Sequence, residues 1–234
     1  MPSLERASLL ACWARALGPA LALLVLLWPE TEVEARGEAC RPQRPQDFLV
    51  RKNYLRAGAL AAGAHARSVR YRVEHYGSVD VAAAPALGRP PAASFAQATT
   101  FFGKPVRLHR AIVPALACVE RRIEQTCRAS PYAPTALGGY RERNTFHTGE
   151  ITNHLFGIAL DIDPQRNPCC HCVEPWSSDP KCAAKVRSPF ERAAIPKCWV
   201  DAFERYGFYW LGHDVLEDTM HFEFLGDPAR IKAR

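Results

Sequence analysis

Two short segments in the second half of the chain carry apolar residues at every second position. The first runs from Ile158 to Asp163 and the second from Met220 to Phe224. Because successive side chains of a strand point to opposite faces, this period predicts two strands, each with an apolar face directed into a core. Asp161 and His221 fall on the polar faces, so their side chains can meet if the two strands are neighbours.

Apolar residues at helical spacing predict two helices in the same half of the chain. One covers residues 110–125, with a proline in its first turn, and the other begins at Pro196 and ends at Gly207. Two further short strands are predicted at residues 135–141 and 208–211. Helices that flank a mostly antiparallel sheet make an α+β domain, which is the fold class we expect.

The first 35 residues are predicted to be a secretory signal peptide. They combine a basic start, a short apolar centre and small residues near a cut site after Ala35. The apolar run from Ala16 to Trp28 is shorter than the ~20 residues that cross a bilayer, so no stable membrane insertion is expected after cleavage. This pattern predicts a secreted or periplasmic protein of the cell envelope.

The mature chain is predicted to divide at about residue 98. Residues 36–98 are expected to form an N-terminal extension, with a helix at 47–66 and a Pro/Ala-rich linker at 79–96. Residues 99–234 contain all the candidate chemistry, so we assign the catalytic domain there. The sequence does not indicate a role for the extension, and it is silent on oligomeric state.

Removal of the signal leaves a basic, cysteine-rich chain. The formal charge rises from +6 to +8, which suits an anionic partner such as a cell wall or simply maintains solubility. No basic run with interleaved aromatic residues suggests nucleic acid. Eight of the nine cysteines remain, which is typical of up to four disulfides in an exported protein. They can pair in on the order of a hundred ways, and the sequence does not choose among them.

The cluster Cys169-Cys170-His171-Cys172 has a second interpretation as a separate structural zinc knuckle. Export favours disulfides, with Cys182 and Cys198 as further partners.

The two strand segments also carry the residues of a candidate catalytic metal site. His154, Asp161 and His221 offer two imidazoles and one carboxylate, a set that leaves a fourth position of a zinc ion open for water. Asp218 is a spare carboxylate that could act as the base. His154 lies an odd number of residues before Asp161, so we expect the chain to turn at Gly157. Likewise, Asp218 can face the site only if the chain bends just before the second strand.

These residues resemble the zinc D-alanyl-D-alanine peptidases of the VanY/VanX type and the related phage L-alanyl-D-glutamate endolysins. The resemblance covers about residues 101–225, and it rests on three short motifs: Gly139-Tyr140-Arg141, then Asn153, His154, Gly157, Ala159 and Asp161, and finally Asp218, Met220, His221, Phe222 and Glu223. It implies the fold shared with the hedgehog signalling domain. The chain departs from the family at Asn153, where Ser is common, and in an insertion between Cys169 and Cys198.

The resemblance also implies roles for individual residues. His154, Asp161 and His221 would bind Zn²⁺, Asp218 would be the general base and acid, and Arg141 would steady the substrate carbonyl. The implied substrate is a peptidoglycan peptide, and we favour a D-alanyl-D-alanine carboxypeptidase. An L-alanyl-D-glutamate endopeptidase and a zinc-containing binding module without catalysis remain as alternatives. No His-Glu-x-x-His stretch is present, which argues against the thermolysin-like class.

Four other polar residues near the motifs are open to a functional or a structural interpretation. Glu223 could orient a ligand imidazole or be a solvated strand residue. Asp163 precedes a proline and is interpreted as a turn residue more readily than as a fourth ligand. His213 and Asp214 follow Trp210 in a loop where contact with substrate is possible, but an ordinary loop is the better interpretation.

Overall fold

A computed structural model describes residues 40–231, apart from residues 57, 58, 147 and 148. The predicted signal peptide and its cleavage site therefore lie outside the described residues. Within the described part, no helix is both long enough and apolar enough to cross a membrane.

The described chain forms eight strands and five α-helices, joined by short 3₁₀ turns. The strands are β1 (Leu55–Arg56), β2 (Ala59–Leu60), β3 (Ala96–Phe101), β4 (Lys104–His109), β5 (Leu137–Gly138), β6 (Ala159–Ile162), β7 (Phe208–Trp210) and β8 (His221–Phe224). The helices are α1 (Arg51–Tyr54), α2 (Ala62–Tyr76), α3 (Val113–Thr126), α4 (Pro180–Ala183) and α5 (Lys197–Arg205). The predicted α+β class is confirmed.

The main sheet has four antiparallel strands in the order β5-β6-β8-β7. One face packs against α5, where the Phe203 ring stacks on Phe222 with 4.1 Å between ring centroids. Leu160 and Phe224 lie on this face and are fully buried. The opposite face holds Asp161, which pairs directly with His221 in the register of β6 and β8. The period-two pattern therefore identified which side chains share each face.

The two helices predicted in this half form close to their expected positions. The helix α3 begins at Val113, with Pro114 in the first turn, where a missing N–H disrupts no helical hydrogen bond. The helix α5 follows Pro196, and Gly207 continues the chain with a left-handed φ of 86°. Both helices belong to the main hydrophobic core.

The predicted strand at 135–141 is much shorter in the structure, where only Leu137–Gly138 pair with β6. The chain leaves the sheet at Gly139 because it packs tightly against β4 there. A Cβ atom at Gly139 would lie 2.2 Å from the Arg107 carbonyl oxygen, and that oxygen accepts a hydrogen bond from the Tyr140 N–H at 2.8 Å. Only glycine permits such a close approach of two backbones.

The predicted helix at 47–66 was wrong in its position. The long helix of this region is α2, at residues 62–76, and the chain before it forms a 3₁₀ turn, α1 and the β1–β2 hairpin. Leu49 and Val50 are buried in a separate cluster with Tyr209, Leu211 and Leu225. This packing favours an irregular path over a continuous helix, since tertiary contacts outweigh intrinsic propensity.

The helix α2 packs into the main core through Val69, Val73 and Tyr76, so it shares that core with the strands of the main sheet. The Pro/Ala-rich segment after it is irregular, as predicted, up to Pro91. It is followed by a 3₁₀ turn and by β3, which forms a hairpin with β4.

Four disulfides connect the cysteines of the described chain. They join Cys40 to Cys118, Cys127 to Cys198, Cys169 to Cys172, and Cys170 to Cys182. The expected use of the cysteines as disulfides is therefore met, and the pairing that the sequence left open is given by the fold. Since Cys169, Cys170 and Cys172 are all bonded to other cysteines, this arrangement argues against a zinc knuckle at that cluster.

Candidate metal centre

His154 lies in a 3₁₀ turn, Asn153–Phe156, just before β6. The chain turns at Gly157, as the spacing required, with a left-handed φ of 67°. A Cβ atom at this position would lie 2.9 Å from the backbone nitrogen of His109. The N–H of that nitrogen donates to the Gly157 carbonyl at 2.8 Å. The turn brings the imidazole of His154 back over the polar face of the sheet.

The hydrogen bonds of the His154 ring determine which nitrogen faces the site. Its Nδ1 atom lies 2.6 Å from the carbonyl oxygen of Gly139. A carbonyl oxygen can only accept, so Nδ1 carries the proton and Nε2 presents a lone pair. That lone pair is directed towards His221 and Asp161.

Three donor atoms converge at one buried point. The Nε2 atom of His154 lies 3.2 Å from the Nδ1 atom of His221 and 3.2 Å from Oδ2 of Asp161. His221 Nδ1 is also 2.9 Å from Asp161 Oδ1. The exposed fractions of the three residues are 1%, 3% and 6% for His154, Asp161 and His221, so the surrounding protein shields this point from solvent.

The electrostatics of this group favour a bound cation. Burial alone would lower the pKa of His221, but its bonds to Asp161 and Glu223 raise that pKa to about 10. Burial lowers the pKa of His154, whereas the two imidazoles hold the pKa of Asp161 well below its usual value against the effect of burial. Because His154 Nε2 is unprotonated, it can accept a hydrogen bond from His221 Nδ1. A divalent metal ion could replace the proton between them and be bound by both nitrogens and by the Asp161 carboxylate.

The residues present therefore fit zinc. Two imidazole nitrogens and one carboxylate are a common ligand set for a catalytic zinc ion, and their ligand atoms all lie within 4.8 Å of one another. The side chains come from a 3₁₀ turn and two paired strands, which hold their relative positions rigidly.

Glu223 is buried beside the second nitrogen of His221. Its Oε2 atom lies 3.5 Å from His221 Nε2 and accepts a hydrogen bond from Asn153 Nδ2 at 2.5 Å. Burial raises the pKa of Glu223. The neighbouring His221, Arg72 and Asn153 together lower it by more, so the net change is downward. The sequence left Glu223 between a solvated strand residue and a partner of a ligand imidazole, and the structure places it beside the imidazole.

Asp218 lies in a bend before β8 and not in the strand itself. Asp218 forms an isolated antiparallel bridge with Cys169, and Thr219 donates from both its N–H and its hydroxyl to the Pro168 carbonyl, at 3.0 and 2.7 Å. The segment that begins the cysteine-rich insertion therefore holds this bend in place. The bend that the sequence required of Asp218 is present.

The carboxylate of Asp218 has a buried oxygen and a raised pKa. Its Oδ1 atom is inaccessible to solvent and has no hydrogen-bond partner among the residues that the structure describes. Burial raises the pKa of Asp218 to about 7, with His221 opposing the rise and the charge of Asp161 adding to it. Such a carboxylate can both take up and release a proton near neutral pH.

Arg141 lies at the open side of the same group. Its guanidinium contacts the Asp161 carboxylate, its side chain is 39% exposed, and its backbone N–H donates to the His154 carbonyl at 3.1 Å. The structure thus brings Arg141 together with His154, Asp161, His221 and Asp218, the five residues that the sequence singled out.

These residues line a cleft that encloses about 390 Å³. One wall belongs to the cysteine-rich insertion and carries Cys172, Val173 and Trp176. The lining also includes Arg51 and Glu150, which the sequence does not single out. No motif could have found them, because Arg51 and Glu150 are 99 residues apart and meet only through the fold.

The remaining polar candidates have structural contacts. Asp163 has a positive φ of 44°, and its carboxylate accepts bonds from Tyr132, Thr135 and Ala136, at 2.6 to 2.7 Å. This agrees with a turn residue. His213 lies 3.3 Å from Glu204 and is absent from the cleft lining.

Comparison with known proteins gave one result. Residues 146–224 match the family model described as D-alanyl-D-alanine carboxypeptidase. No curated protein and no solved structure matches the chain. The matched segment contains His154, Asp161, Asp218 and His221, while Arg141 precedes it. The match confirms the resemblance to the zinc D-alanyl-D-alanine peptidases and implies a peptidase of that type.

Proposed function

We propose that this protein is an exported zinc carboxypeptidase that removes the terminal D-alanine from peptidoglycan stem peptides. The observation that supports this most strongly is the convergence of His154 Nε2, His221 Nδ1 and the Asp161 carboxylate, with Asp218 in the lining of the same cleft. The family match over residues 146–224 supports the substrate class.

His154, Asp161 and His221 are proposed to hold the metal. When bound, a zinc ion in such a set polarises a peptide carbonyl and makes a water molecule easier to deprotonate. The protein contributes the fixed positions of the three ligands. Gly139 and Glu223 contribute further, because each lies against the outer nitrogen of a ligand imidazole.

Asp218 is proposed to move the proton during hydrolysis. Its carboxylate takes a proton from the water that attacks the peptide carbonyl, and it then returns this proton to the nitrogen of the leaving D-alanine. Burial raises the pKa of this carboxyl above that of an exposed aspartate, which makes it a stronger base. The Oδ1 atom, which has no hydrogen-bond partner among the described residues, is proposed to take up this proton.

Arg141 is proposed to bind the oxygen that becomes negatively charged, or the terminal carboxylate of the substrate. A guanidinium offers up to five N–H donors, so it can keep its contact with Asp161 while other donors face the cleft. Its partly exposed side chain lies where a substrate would enter.

Action outside the cytoplasm is supported by two observations. The first 35 residues have the composition of a secretory signal, and the described chain contains four disulfides. Disulfides persist in oxidising compartments such as the periplasm.

The experiment that tests this proposal is a digest of purified muropeptides, analysed by mass spectrometry with and without a chelator. Loss of one alanine from pentapeptide stems, abolished by the chelator and restored by zinc, is the expected result. Cleavage between L-alanine and D-glutamate would instead support the endopeptidase alternative. Zinc binding without any hydrolysis would support the binding module.

A further inference from the structure

Arg51, at the start of α1, makes three charge-assisted hydrogen bonds inside the protein. Its Nε and Nη2 atoms donate to the two carboxylate oxygens of Glu150, both at 2.7 Å, and Nη1 donates to Asp214 Oδ1, also at 2.7 Å. The side chain is only 10% exposed. Arg51 therefore joins two distant parts of the chain, 99 and 163 residues away from it.

The first of these parts leads to His154. Asn144 holds the backbone around Glu150, because its Nδ2 donates to the Glu150 carbonyl at 2.7 Å and its Oδ1 accepts from the Thr152 N–H at 3.0 Å. Thr152 is in turn the N-cap of the 3₁₀ turn that carries His154, and its hydroxyl accepts from the His154 N–H. The Glu150 segment thus continues directly into a metal ligand.

The second part leads to Asp218. The carbonyl of Leu211 accepts hydrogen bonds from the Asp214 N–H at 3.0 Å and from the Asp218 N–H at 3.2 Å. Asp214 Oδ1 also accepts from the Leu216 N–H at 3.1 Å. The same carboxylate oxygen that binds Arg51 therefore organises the turn that ends at Asp218.

The negative charges of Glu150 and Asp214 explain why a guanidinium lies between them. Glu150 and Asp214 are 2% and 4% exposed, so two buried carboxylates lie on either side of one cation. Without that cation the carboxylates would repel each other across a poorly solvated interior, and the two segments would separate. A lysine keeps the charge, but it cannot reproduce the planar fork that bonds two oxygens of one carboxylate and a third oxygen of another.

We propose that Arg51 is a positioning residue that sets the placement of Asp218 relative to the metal ligand His154. Arg51 touches neither ligand nor base, and it acts through Glu150 on one side and through Asp214 on the other. This gives the N-terminal segment a part in the proposed reaction. The role in catalysis rests on the proposed function. The contacts by which Arg51 connects the two segments do not depend on it.

The test compares Arg51→Lys and Asp214→Asn with wild-type protein by hydrogen exchange and by kinetics. In Arg51→Lys, amides of residues 149–152 and 211–218 are expected to exchange at least 10-fold faster. In Asp214→Asn, which keeps the Arg51–Glu150 pair, only residues 211–218 are expected to change. The zinc content of both variants should match wild type, kcat should fall at least 10-fold, and KM should change less than 3-fold.

Ile123→Ala is the control for a loss of stability alone. Ile123 is buried in α3 and lies outside the cleft lining, so its truncation should lower Tm without changing kcat. If Arg51→Lys exchanges at wild-type rates in both segments, or if Ile123→Ala at equal loss of Tm lowers kcat as much, the proposal is overturned. If wild-type protein hydrolyses no muropeptide, the proposed function fails. Hydrogen exchange alone then still decides whether Arg51 holds the two segments in place.

Discussion

His154 Nε2 and His221 Nδ1 lie 3.2 Å apart in the interior of the protein, although 67 residues separate them in the chain. Each ring is held from its far side, His154 by the Gly139 carbonyl and His221 by its proximity to Glu223. Two imidazoles fixed in this way, with the Asp161 carboxylate between them, form a ready site for a cation.

Asp218→Asn is expected to lower kcat about 10²- to 10⁴-fold, since the amide cannot take a proton from water. The zinc content should stay at the wild-type value, because Asp218 is not one of the three ligands. Kinetic assay and metal analysis of the same preparation check both points. Asp201→Asn is a matched control, since Asp201 is 55% exposed and pairs with Lys197 of α5. Loss of zinc from Asp218→Asn would contradict the role of a base.

Glu223→Gln is expected to weaken zinc binding by about 10- to 100-fold, because the buried carboxylate beside His221 Nε2 makes the ligand imidazole more basic and orients it. Competition with a chromogenic chelator measures the change. Asn153→Ala removes the 2.5 Å bond to the same carboxylate and should have a smaller effect in the same direction. Unaltered affinity in both variants would show that Glu223 has no part in binding.

Asp163→Asn is expected to destabilise the fold by about 1–3 kcal/mol and to leave the zinc content unchanged. The carboxylate accepts hydrogen bonds from Tyr132, Thr135 and Ala136. An asparagine side chain has one acceptor oxygen, so it can accept only some of these bonds. Chemical denaturation and metal analysis check the two parts. A variant that loses its metal while staying fully stable would mean that Asp163 is a ligand after all.

The fold should lose stability in mild acid through His109. Burial lowers the pKa of His109 from 6.5 to about 4, and its Nδ1 accepts a bond from the Ala111 N–H, which protonation would break. The unfolded chain binds the proton more readily, so the free energy of unfolding should fall as pH drops from about 6.5 to about 4. The contribution of this group is at most about 3 kcal/mol.

Comparison of wild type with His109→Asn isolates that contribution. Asparagine can accept the Ala111 bond but does not titrate, so the variant should be less sensitive to pH over the same interval. Denaturant unfolding at pH 7, 5.5 and 4.5 measures the difference between the two proteins. If the free energy of unfolding falls equally with pH in both proteins, groups other than His109 cause the acid sensitivity.

The sheet and the candidate ligands could be predicted from the sequence because their signals are local. Alternation around Asp161 and His221 identified two strands, and Gly157 supplied the turn that brings His154 back. That Asp161 and His221 share a face then follows once the two strands are neighbours, and the structure adds that they pair directly. The need for a bend at Asp218 came from strand geometry alone.

Features that depend on long-range packing could not be predicted in this way. Glu223 lies on the polar face of its strand, and only the fold buries that face. Arg51 appears in the sequence as an ordinary basic residue of the predicted helix at 47–66, yet its partners come from two distant loops. The predicted helix at 47–66 failed because Leu49 and Val50 pack against the far end of the chain.

The measurement that tests the central claim most directly is the zinc content of purified wild-type protein and of His221→Ala, determined by mass spectrometry after dialysis against a weak chelator. One zinc ion per wild-type chain, and almost none in a folded His221→Ala variant, is the predicted result. Wild-type protein that retains no zinc, or His221→Ala that retains as much as wild type, would contradict the assignment of His154, Asp161 and His221 as the metal ligands.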